Sequence, residues 1–232
     1  MDNFGVKWDA FYESLITHQA YREVLLGLQN TLLIAIIGLL IGVAIGTLIA
    51  VVKVVPSKNI AVTILKKICG IYVAFFRGTP IVVQLLVGYY VLFPLMGITI
   101  TSINACIIIF GLNSGAYVSE IMRSGLQSVD NGQMEAGRAL GLGFGYTMTK
   151  IIVPQAVKNI LPTLGNEFIS LIKETAVVSF VGAIDLCTAF KNIGNSNYEF
   201  MVPYITMALI YIVLVFIISM LVKLMERRMA AK

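Results

Sequence analysis

Residues 31–52 read TLLIAIIGLLIGVAIGTLIAVV, 22 positions without a charge. About 20 apolar residues in a helix cross the roughly 30 Å hydrocarbon core of a bilayer, so this stretch sets the fold class: helices inside lipid. The composition agrees. Hydrophobic residues make up 58% of the chain and charged residues 12%, against about 45–50% and about 25% in soluble domains. The net charge of +5 is read as basic loops held at the inner membrane face, not as a nucleic-acid surface. Cys69, Cys106 and Cys187 are odd in number and show no C-x-x-C spacing, so they are read as packing residues without disulfides.

Working outward, four more stretches qualify as spans: Ile81 to Ile98, Ile100 to about Met122, Ile160 to Ile184, and Phe200 to Val222. The expected fold is therefore an all-α integral membrane protein with five transmembrane helices. The segment from Asn59 to Phe76 carries Lys66 and Lys67. Crossing there would place both in lipid at a cost of several kcal/mol, so it is expected along the inner face or against the bundle. Loop charges set the orientation. Lys53, Lys58, Lys66, Lys67, Arg77, Arg123, Arg138, Lys150, Lys158, Lys223, Arg227, Arg228 and Lys232 fall on one side, against Lys7, Arg22 and Lys191 on the other. The positive-inside rule then puts the N-terminus outside and the C-terminus inside. The segment 1–28 is read as an outer amphipathic piece built on Trp8, Phe11, Tyr12 and Leu15, with a surface-helix reading and a docking reading both open. It has no basic region followed by an apolar core, so no cleavable signal peptide is expected. Residues 29–228 form the transmembrane domain, interrupted by an inner loop over 125–160.

Ionisable groups within spans are candidates for function. Glu167 follows the Leu161-Pro162 break and shares a polar stripe with Ser170 and Glu174, while Lys173 aligns with Asn166. Glu167 either lines a pathway or pairs with Lys173 or a basic loop. A pathway carboxylate favours a cationic substrate group. Glu120 either contacts substrate or pairs with Arg123 or Arg77. Arg77, Thr79 and Gln84 flank Pro80, whose missing donor kinks the chain, and broken helices can line substrate sites. The alternative for Arg77 is snorkelling to the headgroups. Gly38, Gly42 and Gly46 repeat at four-residue spacing, which allows close helix packing in the bundle or in a dimer.

The inner loop looks structured. Gln133 to Leu140 is helix-permissive, with Glu135 in the first turn where the helix dipole favours an acid. Gly141, Gly143 and Gly145 stop that helix, and a second starts near Thr147, with Pro154 marking a bend.

Glu135-Ala136-Gly137, three residues, Gly141, nine residues, Ile151, one residue, then Val153-Pro154 resembles the EAA loop of ABC importer permeases, departing at Gly137 and Val153. Phe76-Arg77-Gly78-Thr79-Pro80 with Gln84-Leu85 is similar to the signature of their polar amino acid branch, whose members include glutamine, histidine, arginine and cystine permeases. So are Asn113-Ser114-Gly115-Ala116-Tyr117 with Glu120 and Arg123, and Ile172-Lys173-Glu174-Thr175-Ala176. The likeness covers about residues 25 to 228. It implies a type I importer permease fold in a bacterial cytoplasmic membrane. It also implies a second permease copy (identical or a sibling), a dimer of ATP-binding subunits, and an outer solute-binding protein delivering an amino acid. The chain itself would bind no cofactor, ATP and Mg being used by the partner. Glu135, Ala136, Gly137, Arg138, Gly141 and Pro154 would belong to the element coupling permease to ATPase, Glu135 meeting a basic residue there and Ala136 and Gly141 allowing close approach.

Other classes fit poorly. No Walker pattern occurs, His18 is the sole histidine, and neither H-E-x-x-H nor G-x-S-x-G appears, so no catalytic residues and no metal site are expected. A secondary transporter or channel for small polar solutes remains the alternative, although five spans do not divide into two inverted halves.

Overall fold

The computed structural model describes residues 4–56 and 59–230; of the basic residues used for sidedness, Lys58 and Lys232 lie outside them. Eleven α-helical segments occur among the described residues, interspersed with π and 3-10 turns, and no strand. α1 (Phe4–Tyr12) continues as a π turn, Glu13–Thr17, and α2 runs over Tyr21–Val54. α3 (Ile60–Gly78) is followed by α4 (Ile81–Val87), which passes through a π turn into α5 (Phe93–Leu95). Next come α6 (Ser102–Gln127), the short α7 (Gly132–Ala139) and α8 (Phe144–Thr147), then α9 (Val153–Glu174). A 3-10 turn, Thr175–Val181, leads to α10 (Leu186–Asn197) and α11 (Met201–Ala230).

Tyr21–Val54, Ser102–Gln127 and Met201–Arg228 are each long and apolar enough to cross a membrane. The pair Ile60–Gly78 and Ile81–Leu95, bent by 107°, makes a fourth if counted as one broken span. α9 has 22 residues, about 33 Å at 1.5 Å per residue, but its charged side chains keep it from being purely apolar. It also corrects the expected boundaries. The helix runs from Val153 to Glu174, not from Ile160 to Ile184, and continues through Pro162 without a break. Pro154 sits in its first turn, where a missing N–H removes no helix bond, and α8 leads into it through a π turn at Met148–Ile152. The α2 helix likewise begins at Tyr21, inside the expected N-terminal segment.

The glycine stripe of α2 is what lets α6 pack against it. A methyl on Gly42 would lie 2.6 Å from Ser114 Oγ, and one on Gly46 would lie 2.7 Å from the backbone N of Ser119. Gly38 faces Phe110, so positions 38, 42 and 46 meet 110, 114 and 119 in rising order, and the two helices run parallel. The reciprocal glycines Gly111 and Gly115 receive Ile41 and Ile45. Of the two uses the stripe allowed, packing within the bundle is observed. α9 runs the other way along α6, since Gly125 meets Ile160 while Ser114 meets Glu167. α11 is antiparallel to α9, with Gly165 against Val222 and Lys173 beside Tyr211. The C-terminal ends of α2, α6 and α11 thus share one end of the bundle with the start of α9. Lys53, Arg123, Lys158, Lys223, Arg227 and Arg228 lie at that end, as does α7, which joins α6 to α9.

The core joins Ile34, Leu85, Phe110, Leu171, Ile172 and Val178 from five elements. α3 is helical where an amphipathic segment was expected. It packs Val73 against Ile49 and Ala116, while Ile60, Ile64, Ile68, Ile71 and Phe75 stay exposed. At the opposite end of the bundle, Asp185 caps α10 through the N–H groups of Cys187 and Thr188. There α1 docks through buried Phe11 against Leu186 and Phe190, whereas Trp8 and Tyr12 are exposed.

Candidate functional site

Three groups of candidate residues take up distinct places. The first is the bend between α3 and α4. Gln84 is buried, and its Nε2 donates to the carbonyls of Phe76 (2.9 Å) and Thr79 (3.0 Å) and to Thr79 Oγ1 (2.9 Å). Asn113 Nδ2 in turn donates to Gln84 Oε1 at 2.9 Å. These carbonyls are orphaned where α3 ends and Pro80 supplies no N–H, so Gln84 holds the 107° bend and ties it to α6. Thr79 also donates to the Phe75 carbonyl. The Arg77 guanidinium lies 5.5 Å from the centre of the Tyr117 ring, a cation–π distance.

The second group surrounds Glu120. Its carboxylate meets Lys53 at 3.0 Å, Arg123 at 2.8 Å and Arg77 at 4.0 Å. One acid therefore links the ends of α2, α3 and α6. The paired reading fits this geometry, and Lys53, which the sequence had placed only as a loop charge, is its closest partner from another helix.

The third group is α9. Between Asn159 and Glu174, the residues Asn159, Thr163, Asn166, Ser170, Lys173 and Glu174 fall on one face about 100° wide. All are exposed except half-buried Ser170, while Ile160, Gly165, Leu171 and Ile172 are buried on the other side. Glu167 lies at the border of the polar face. It is not paired with Lys173; it accepts a hydrogen bond from Ser114 Oγ at 3.0 Å. Ser114, fully buried on α6, reaches it because Gly42 of α2 leaves room. Thr163, Asn159 and Ser114 had no assigned role from sequence. Asn113 and Ser114 side by side in an apolar helix were the available signal for the last.

The inner-loop residues form a compact knot. Glu135, Ala136 and Arg138 are exposed along α7, and Glu135 makes no ion pair among the described residues. Gly137 is buried because α8 crosses it: a methyl there would lie 2.6 Å from the Thr147 side chain. Gly141 ends the helix at φ +74° with open space around it, the left-handed conformation that glycine adopts without strain. The loop between α6 and α9 is thus mostly helical, and shorter than 125–160.

A family model described as binding-protein-dependent transport system inner membrane component matches residues 42–231. The chain belongs to this family of ABC permeases. The putative glutamine transport system permease protein of Rickettsia bellii is 41% identical over 203 residues, 88% of this chain and 91% of that one. The arginine transport system permease protein of Bacillus subtilis is 38% identical over 206 residues, 89% of this chain and 92% of that one. The crystal structure of an amino acid ABC transporter with histidines superposes with a TM-score of 0.83 at 40% identity, covering 92% of this permease and 97% of that chain.

Proposed function

We propose that this permease is the membrane-spanning subunit of an ATP-driven importer that carries a polar amino acid across a bacterial cytoplasmic membrane by alternating access. The observation that carries this reading is the exposed polar face of α9. A helix of membrane length with one apolar, buried side and one polar, open side is stable when the open side meets water or another polar surface. Two copies facing each other across such a surface form a pathway. The alternating directions of α2, the bent pair, α6, α9 and α11 support five crossings, with the lysine- and arginine-rich end inside.

In this reading α7, Glu135 to Gly141, rests in a groove of the ATP-binding partner. ATP and Mg act there, and the short helix passes on a rigid-body displacement that a loose loop would absorb. The fixed angle between α7 and α8, set by Gly137 against Thr147, suits that task. Glu135 meets a basic residue of the partner, with Arg138 beside it and Ala136 on the contact surface. A solute-binding protein delivers the amino acid on the other side.

Glu167 is the residue that selects charge in the pathway, its carboxylate held by Ser114 and open at the border of the polar face. A negative group there favours arginine, lysine or histidine side chains. Ser170 lies on the same wall. Lys173 stands further along it, while Arg77, Thr79, Gln84 and Glu120 act on the pathway by fixing the bend and the helix ends. Replacing Glu167 with Gln in the assembled transporter is expected to lower uptake of basic amino acids by about tenfold, the scale of one lost charge-assisted contact, and to leave neutral ones nearly unchanged. Equal loss for both classes contradicts the assignment.

A further inference from the structure

Lys173 and Glu174 are consecutive residues at the end of α9, so they point about 100° apart. They occupy the two opposite borders of the exposed polar face, with Asn159, Thr163, Asn166 and Ser170 between them. Both are exposed, and neither makes a hydrogen bond or ion pair within the described residues. Neighbours in sequence on a helix do not face each other, so Lys173 eases the Glu174 charge only through space and the two make no direct ion pair. On the α11 side, Lys173 borders a cavity of about 620 Å³ whose other lining residues, Tyr211 and Ser219 among them, carry no charge. The one other acid on this side of α9, Glu167, is bonded to Ser114. Such charges are costly wherever this face meets lipid instead of water or a polar partner.

A second copy resolves this. When two parallel helices face each other across a two-fold axis along their length, the left border of one meets the right border of the other. Lys173 of one copy then lies opposite Glu174 of the partner copy, and Glu174 opposite Lys173 of the partner copy, at the same height. A two-fold pairs like with like only for residues at the centre of the face, where this chain has the uncharged Asn166 and Ser170. We propose that two reciprocal ion pairs, Lys173 to Glu174 of the partner copy and the converse, close the C-terminal end of the groove between paired α9 helices and separate when solute passes. This rests on the reading that two copies of this chain form the pathway. It adds the contact that seals it.

The test uses the complete transporter in membranes, with two copies of the permease carrying tags of different size, in a background lacking Cys69, Cys106 and Cys187. One copy carries K173C and the other E174C. Without ATP, mild oxidation is expected to join 173 of one copy to 174 of the other several-fold faster than 173 to 173 or 174 to 174. Equal rates, or no cross-link between copies that co-purify, overturn the ion pairs. As a second measurement on uncrosslinked protein, copies with K173E are expected to co-purify with copies carrying E174K in preference to their own kind, and random pairing counts against the proposal. If differently tagged wild-type copies never co-purify, self-pairing and this contact both fall. Import by this chain with a sibling permease would still stand.

Discussion

Gly137 shows how much one missing methyl can carry. The resembled family pattern has alanine there, and the sequence shows the departure without its reason. In three dimensions it is the point where α8 crosses α7, with Thr147 fully buried against it. Thr147 is β-branched and held by its own bond to the Gly143 carbonyl at 3.2 Å, so it has little freedom to retreat. G137A alone is therefore expected to destabilise the loop by about 1–3 kcal/mol, the usual cost of overpacking. G137A with T147A should recover most of that. Thermal unfolding of the purified transporter, or protease access to residues 132–147, reads the difference; additive losses in the double variant would refute the contact. Such a compensation was invisible in the sequence, because the two positions are ten residues apart in two separate short helices whose crossing no local pattern specifies.

Among the helices, the bend between α3 and α4 is bound by the several hydrogen bonds of one side chain, Gln84. Q84L removes the only side-chain donor given to the Thr79 carbonyl and takes from Asn113 its 2.9 Å acceptor, leaving Asn113 and the Phe76 carbonyl only their mutual 3.5 Å contact. Each buried polar group left without a partner costs about 1–3 kcal/mol, so the variant should lose stability well beyond the loss of one ordinary contact. Q84E retains the side-chain length but repels both carbonyls, and is expected to be no better. A full-stability Q84L transporter would show that the bend is held elsewhere. Much of this architecture was legible: residues 31–52 announced a span, and Pro80 announced a bend. The glycine spacing of α2 announced a close neighbour without naming α6. What could not be read was partnership across long separations, such as Ser114 with Glu167 or Lys53 with Glu120. Hydropathy marks which residues are costly in lipid but not which distant group satisfies them. The same limit misplaced α9, whose polar face lowers its hydropathy and shifted the expected span towards the more apolar stretch beyond Glu174.

At the scale of the molecule, the bundle carries an exposed polar wall along α9 and a short exposed helix at the basic end. The path between them is α9 itself, which begins where α8 leaves the α7 knot and ends at Lys173 and Glu174. In the proposed function, a displacement of α7 reaches the polar wall through one continuous run of helical turns, and this run couples a partner's ATP hydrolysis to solute passage. The most direct measurement is uptake of a labelled amino acid into vesicles containing this permease, its ATP-binding partner and the solute-binding protein, with and without enclosed ATP. Uptake should require ATP, and E135K should abolish it while leaving the partner's own ATP hydrolysis intact. Accumulation driven by an ion gradient, with no ATP and no partner present, would contradict the account.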